Sequence, residues 1–228
     1  MDKMTITHTE DIITTLKSST PVMGKGQTGA SSHGLLSGTH VASNLGWRTV
    51  DTLAVGDKVL TFDNAMQTVV EIRRDIMWVT DSHEMPRSWP VVVPQGALGN
   101  RCDMTILPDQ GIMIECDAAE DAHGDPFAVI PAMVMEGLRG IYRTPPTHPI
   151  EIVTLFFAQE QVIYVEGGLL MYCPKASCLV SDQAPSEGAY DVLSLPDAVF
   201  LVECMMFEDQ MVARSKLHGA GQIHTAVA

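Results

Sequence analysis

Positive charge is scarce in this 228-residue chain: 14 lysines and arginines stand against 28 aspartates and glutamates, a formal net charge of −14. Lysine and arginine gather nowhere beyond the pair Arg73 and Arg74, so a nucleic-acid backbone is repelled and no nucleic-acid partner is expected. Long apolar runs are missing as well. Charge, glycine or proline interrupts each one well short of the roughly 20 residues a bilayer needs, so no membrane span is expected. The 5 cysteines show neither C-x-x-C spacing nor a histidine at zinc-finger distance, which excludes a zinc module and a disulfide framework. Cys173 and Cys178 are near enough in sequence to meet across a hairpin; otherwise they are small core residues. The 8 histidines are scattered, without the spacing that builds a metal site from one element, and neither metal nor cofactor is expected. Met1 to Thr20 lacks the basic flank and apolar stretch of a secretory signal, which leaves a cytoplasmic location and non-classical export both open.

What is there is a hydrophobic fraction of 46% with only 18% charged residues and frequent glycine and proline, the texture of a turn-rich globular protein. Between about Gly34 and Pro174 short runs rich in Val, Ile, Thr and Phe follow one another: THVAS, RTVDTL, KVLTF, TVVEIRR, VVVP, IMIEC, FAVIP, IEIVTLFF and QVIYVEG. Such runs prefer strands, and with no long helical pattern between them they predict an all-β domain of antiparallel hairpins. Gly56 and Asp57 are placed to make a tight turn, with Leu53 and Val55 packed before it and Val59 and Leu60 after it.

Exceptions to the strand pattern lie at PAMVMEGL, residues 131–138, which predicts a helical turn or two, and at SLPDAVFLVECMMF. There a capping serine, a first-turn proline and an apolar body predict a C-terminal helix over about 195–207, with a tail that frays beyond Asp209. The segment from Thr5 to Ser19 has a weak amphipathic pattern through Ile12, Ile13 and Leu16, and Pro21 to His33 has the glycine- and serine-rich composition of a linker. The organisation expected is therefore an arm over 1–33, a β domain over 34–174 and an extension over 175–228. Asp117, Glu120, Asp121 and Asp125 around Gly124 lack the ladder of a calcium loop and are expected in an exposed loop.

The run GTHVASNLGWRTVDTLAVGDKVLTFDNAMQTVVEIRR, residues 38–74, resembles the opening of bacterial Hedgehog/intein (Hint) domains, with their G-T, G-W-R, L-x-V-G-D and V-L-T-F-D elements in order. PQGALGNRCDMTILPDQGIMI, residues 94–114, is similar to the family's G-A-L-G-N segment followed by L-S-P-D-H and a strand, and VTLFFAQEQVIYVEG, residues 153–167, is similar to its late hairpin. The resemblance implies the Hint fold, a horseshoe of intertwined antiparallel β-hairpins.

It also implies a chemistry. In such domains a first-position cysteine or serine attacks the preceding peptide carbonyl, a histidine protonates the departing amide nitrogen, and polar groups steady the oxyanion. Here the nucleophile position falls on Gly34, Leu107 stands at the threonine or serine position, and Gln110 stands where the histidine is expected. The late D-R-H-E element reads Ala158, Gln159, Glu160, Gln161, so Glu160 marks a second altered place. Gly34, Gln110 and Glu160 are expected close together. The sequence thus reads as a catalytically degenerate Hint-like domain, a pseudoenzyme acting as a structural or protein-interaction module through a protein partner or self-assembly. The alternative is a self-cleaving domain that cuts near Ser31 to Gly34, with Ser32 and His33 as substitute nucleophile and base. Cys102, close to the second block, is expected as a small buried core residue.

Overall fold

The computed structural model describes residues 33–77, 88–176, 190 and 192–221, except the side chains of 121–123 and 216–221. The expected amphipathic segment in Thr5–Ser19, most of the arm, Ser31, Ser32, Cys178 and the last residues of the tail lie outside the described residues.

Among the described residues fourteen short strands follow in chain order. They are β1 (Leu35–Leu36), β2 (His40–Ser43), β3 (Gly46–Thr49), β4 (Lys58–Leu60), β5 (Met66–Thr68), β6 (Glu71–Met77) and β7 (Val91–Val93). After them come β8 (Met104–Ile106), β9 (Gly111–Glu115), β10 (Phe127–Pro131), β11 (Tyr142–Arg143), β12 (Ile150–Phe156), β13 (Gln161–Tyr164) and β14 (Leu170–Cys173). They form four small sheets, ordered β1-β12-β6, β10-β9-β14-β13, β11-β7-β8 and β3-β2-β4-β5, and the ladders between these strands are all antiparallel. The all-β, antiparallel expectation holds.

The strands that cross the middle are the most apolar. Ile152 through Phe157 are all buried, because β12 has packing on both faces and its sequence IVTLFF drops the alternation that a half-exposed strand needs. Strand β2, with one face on solvent, keeps that alternation. The core closes around Phe157, Ile106, Leu107, Ile112, Ile130 and Leu155.

Several local expectations change. The stretch 153–167 is not one hairpin: β12 pairs with β1 and β6, whereas β13 turns back on β14. The tight return is at Gly167 and Gly168, both at φ near +90°, a conformation that glycine adopts without strain. Val55 is 62% exposed because the turn is held by polar bonds instead. Asp57 accepts from the Ala54 N–H at 3.0 Å and from Arg48 Nη1 at 3.0 Å. Of the acidic cluster, Asp117, Glu120 and Asp121 are helical, in α1 (Asp117–His123), and Asp125 alone lies in the exposed loop expected. Asp117 and Glu120 sit in the first turn, where acids are favoured, Ala119 is buried, and Gly124 closes the helix in the left-handed conformation. Residues 132–135 make the expected helical turn in 3-10 form, and the strand-like run RTVDTL is a strand only through Thr49, since Val50–Thr52 turn as a 3-10 helix that buries Val50.

The C-terminal helix, α2 (Leu195–Gly221), starts where expected, with the Ser194 hydroxyl against Asp197 in its first turn. It continues well past Phe207. No proline stops it, residues 208–214 are mostly good helix formers, and Arg139 clamps Asp209 through two bonds of 2.7 and 2.9 Å. That guanidinium holds the Asp209 carboxyl below its ordinary range. No described helix is long and apolar enough to cross a membrane.

Asp51 ties the first turn to β3. Its carboxylate accepts from Gly38 N–H at 2.7 Å, Thr49 Oγ1 at 3.2 Å and Ser37 Oγ at 3.3 Å. The Gly38 bond, followed by the hydroxyls, holds this carboxyl below the usual 3.8. A lowered folded value means that its contribution is complete above the unfolded value and disappears as pH falls through the folded one. Asp51→Asn is therefore expected to lower the urea midpoint at pH 7. That difference should shrink below about pH 4; a constant difference between pH 7 and pH 2 would contradict the assignment.

Candidate functional site

Strand β1 lies antiparallel to β12, with Leu35 opposite Val153 and Leu36 opposite Ile152. This register carries Gly34 onto the buried middle of β12. Gly34 is itself buried, at φ +128°. A Cβ at this position would stand 2.7 Å from Thr154 Oγ1, 2.8 Å from Ile152 Cγ2 and 3.3 Å from the Val153 carbonyl oxygen. The first two contacts are shorter than real Cβ atoms show, and a side-chain-bearing residue is strained at that φ. The position is filled as well as bare.

Gln110 ends the turn between β8 and β9, where its N–H donates to the Leu107 carbonyl at 3.1 Å. Its side chain is 3% exposed. The carboxamide oxygen accepts from the Gly34 N–H at 2.9 Å, and the amide nitrogen donates to the carbonyls of Gly111 at 2.9 Å and Tyr172 at 2.8 Å. The Thr154 hydroxyl donates to the His33 carbonyl at 3.4 Å. Both polar groups of the 33–34 peptide are thus engaged, the N–H by an amide oxygen and the C=O by a hydroxyl.

Glu160 joins this cluster at one remove. Its carboxylate accepts from the Tyr172 hydroxyl at 2.9 Å and from the Tyr190 N–H at 3.1 Å, while the Tyr172 carbonyl holds Gln110. Burial first, and then the neighbouring Glu160, push the Tyr172 phenol well above its ordinary range. Gly34 and Gln110 are in direct contact, and Glu160 reaches them only through Tyr172. Leu107 is fully buried and offers the peptide nothing polar of its own side chain. His33 is exposed, and Ser32 lies outside the described residues.

In chemical terms the cluster holds a peptide. A carboxamide neither gives up nor takes a proton near neutral pH, and a phenol raised as Tyr172 is stays protonated there. Among the described residues no three His, Cys, Asp or Glu side chains are placed to hold a metal ion.

Two residues that organise the site, Thr154 and Tyr172, and one that organises the 94–102 loop, Asn100, were not singled out in the sequence. Thr154 reads as one more β-branched residue of an apolar strand, and Tyr172 sits in a strand, LMYC, that the pattern of runs passed over. Asn100, 2% exposed, donates to the carbonyls of Pro94 and Cys102 at 2.9 and 2.7 Å and accepts from the Leu98 N–H at 3.0 Å. An asparagine closing G-A-L-G-N was the available signal, since such residues fold loops onto their own backbone. Cys102 is exposed, not a core residue; its thiol lies 3.9 Å from the Met104 sulfur at the rim of the turn that carries Gly167. Cys173 is buried and free, its thiol pushed up to about 12 by desolvation.

Residues 33–170 match the model of the Hint domain family. Solved structures similar to this chain include a bacterial intein-like domain from Clostridium thermocellum, 14% identical, covering 62% of this chain and 99% of that one with a TM-score of 0.45. A splice-inactive AceL NrdHF class 3 split intein is 16% identical over 63% of this chain and 99% of its own, with a TM-score of 0.40. The Msm DnaB1 intein splicing domain, solved with zinc bound, is 16% identical over 61% and 98%, with a TM-score of 0.38. No curated protein matches the sequence.

Truncating Gln110 leaves a buried N–H and two buried carbonyls without their partner. Gln110→Ala is expected to lose about 2–4 kcal/mol of unfolding free energy in urea titration, and a loss below about 0.5 kcal/mol would show that the three bonds do not hold the segments together.

Proposed function

Because the chain belongs to the Hint domain family, we propose that residues 34–174 are a Hint-like domain without self-cleavage chemistry, serving as a structural or protein-binding module with flanking arms at 1–33 and 175–228. The observation that carries this reading is the packing at Gly34. The family's chemistry, as the sequence resemblance implies it, needs an attacking sulfur or oxygen on the side chain of that residue. Here the space for even the first carbon of a side chain is taken by Thr154 and Ile152. Where an imidazole would deliver a proton to the leaving nitrogen, Gln110 accepts a hydrogen bond from that same N–H.

An acceptor on the amide N–H stabilises the peptide as an amide, because the nitrogen lone pair stays in conjugation and no acid is there to protonate it. The Thr154 hydroxyl on the His33 carbonyl polarises that carbonyl, but polarisation without a nucleophile at reacting distance gives no reaction. A Ser32 or His33 substitute would have to act from a chain position displaced from the one the cluster holds, and a displacement of about 1 Å already costs around a hundredfold in rate. The partner class that fits is protein, since net charge −14 opposes nucleic acid.

Intact mass spectrometry of the purified 228-residue chain tests the reading. The full 24.7 kDa mass is expected to persist for days with and without added thiol; a fragment that begins near Ser32 or Gly34 would establish the self-cleaving alternative. A stronger test puts the missing groups back. Gly34→Cys combined with Gln110→His is expected to stay uncleaved and to be less stable by roughly 2–4 kcal/mol from strain and overpacking. Thiol-induced cleavage of that variant would overturn the claim that the position is closed.

A further inference from the structure

Among the described residues β6 is the longest strand with an open side. Its 7 residues equal those of β12, but β12 is paired on both sides, whereas β6 ends its sheet and is paired by β12 alone. In an antiparallel ladder successive residues turn their backbone N–H and C=O to opposite sides. The Ser37 N–H donates to the Glu151 carbonyl, so Glu151 and Val153 face β1, and Ile152, Thr154 and Phe156 face β6. The Val70 N–H on the Phe156 carbonyl agrees with this. Through the register of β12 on β6, Glu71, Arg73 and Asp75 then bond inward, and Ile72, Arg74 and Ile76 turn their N–H and C=O groups outward. Among the described residues no hydrogen bond reaches those outward groups.

An unpaired edge of this length is a template for another strand, and its side chains select which one. A twofold axis through Arg74 pairs every outward group at once: Ile72 with Ile76 of the second copy, Arg74 with its own counterpart, and Ile76 with Ile72. In that register Arg73 stands opposite Asp75 of the second copy, twice over by symmetry. Asp75 has no side-chain partner among the described residues, and the pair of Arg73 with Glu71 uses its Nε, which leaves the outer guanidinium nitrogens for that contact. Ile76, 47% exposed, comes against Ile72. An axis one residue earlier sets Glu71 against Asp75, and one residue later sets Asp75 against itself, so the charges discriminate between registers. One like-charge contact is left, Arg74 beside Arg74. Each of these guanidiniums already lies 3.4 Å from Glu151 and donates to the Asp51 carbonyl at 2.8 Å, which offsets it. We propose that β6 pairs antiparallel with β6 of a second copy of this chain about an axis through Arg74, joining two three-stranded sheets into one. The net charge of −14 opposes association at long range, and screening confines that repulsion to about 8 Å at physiological ionic strength.

This inference deepens the binding-module reading and rests on it, but its readouts are independent of cleavage. A contact through one strand belongs to the small, weak class of interface. Sedimentation velocity of the full chain is therefore expected to give twice the 24.7 kDa mass at about 500 µM and a single copy at about 5 µM. Between those concentrations hydrogen exchange at the amides of Ile72, Arg74 and Ile76 should slow at least about tenfold, while Arg73 and Asp75, bonded inward in both states, stay unchanged. Ile76→Pro removes an outward N–H and no bond to β12; it should keep the circular dichroism and weaken the pair at least about a hundredfold, because the change enters twice. Arg73→Glu and Asp75→Arg should each weaken it about tenfold, and the two in one chain, which exchange the charges, should pair more tightly than either alone. A monomer at every concentration, slow exchange at Ile72, Arg74 and Ile76 that persists in the monomer, pairing that survives Ile76→Pro, or a charge exchange no tighter than the single changes would each overturn the proposal. A monomer that keeps its full mass would remove the second copy as partner while leaving the absence of self-cleavage intact.

Discussion

A single carboxamide governs the middle of this molecule. Through three hydrogen bonds Gln110 joins the chain entering the domain at Gly34, the turn that starts β9, and β14 at Tyr172. These segments are far apart in sequence, and each reaches the site with a backbone polar group that burial would otherwise leave unpaired. Such a group costs about 1–3 kcal/mol when orphaned, so the arrangement of the surrounding strands is constrained to deliver all three to one amide. The register of β1 on β12, the turn through Leu107 and the pairing of β14 with β9 are mutually dependent for this reason.

The same constraint accounts for the chemistry available. An imidazole in that place would have one lone pair and one N–H to offer, and it could exchange a proton with the amide it faces. A carboxamide offers more hydrogen bonds and no proton exchange. The polar interior therefore holds a backbone through buried hydrogen bonds, and the phenol of Tyr172, raised by burial and beside Glu160, adds another donor that stays protonated near neutral pH. Polar satisfaction of this kind gives a buried network rigidity.

Much of the architecture was legible in the residues. Strands announced themselves through Val, Ile and Thr runs, and the two glycine positions that matter most, Gly34 and the Gly56 turn, were visible at once. What escaped has a common physical origin. Strand β14 and Thr154 sit inside apolar stretches whose partners come from distant parts of the chain, and no local pattern reports a distant partner. Helix α1 was hidden by its acids, which look like a solvated loop until the left-handed Gly124 is seen to close a turn. The length of α2 was hidden because its second half changes character from apolar to charged; the Arg139 clamp on Asp209 that carries the helix past that change comes from 70 residues away. The contact of Gly34 with Gln110 followed from the family resemblance, but the crowding around Gly34 could not, since Ile152 and Thr154 enter it only through strand register.

That crowding acts as a ratchet. A domain with empty space at residue 34 could regain a reactive side chain by one substitution, neutral until selection found a use for it. In this chain the first such step meets a hydroxyl and a methyl group already in place and a backbone angle suited to glycine, so it lowers stability before it can offer anything. Ile152 or Thr154 would have to shrink first, opening a void in the buried run of β12. A side chain at residue 34 therefore requires at least two changes, each harmful alone.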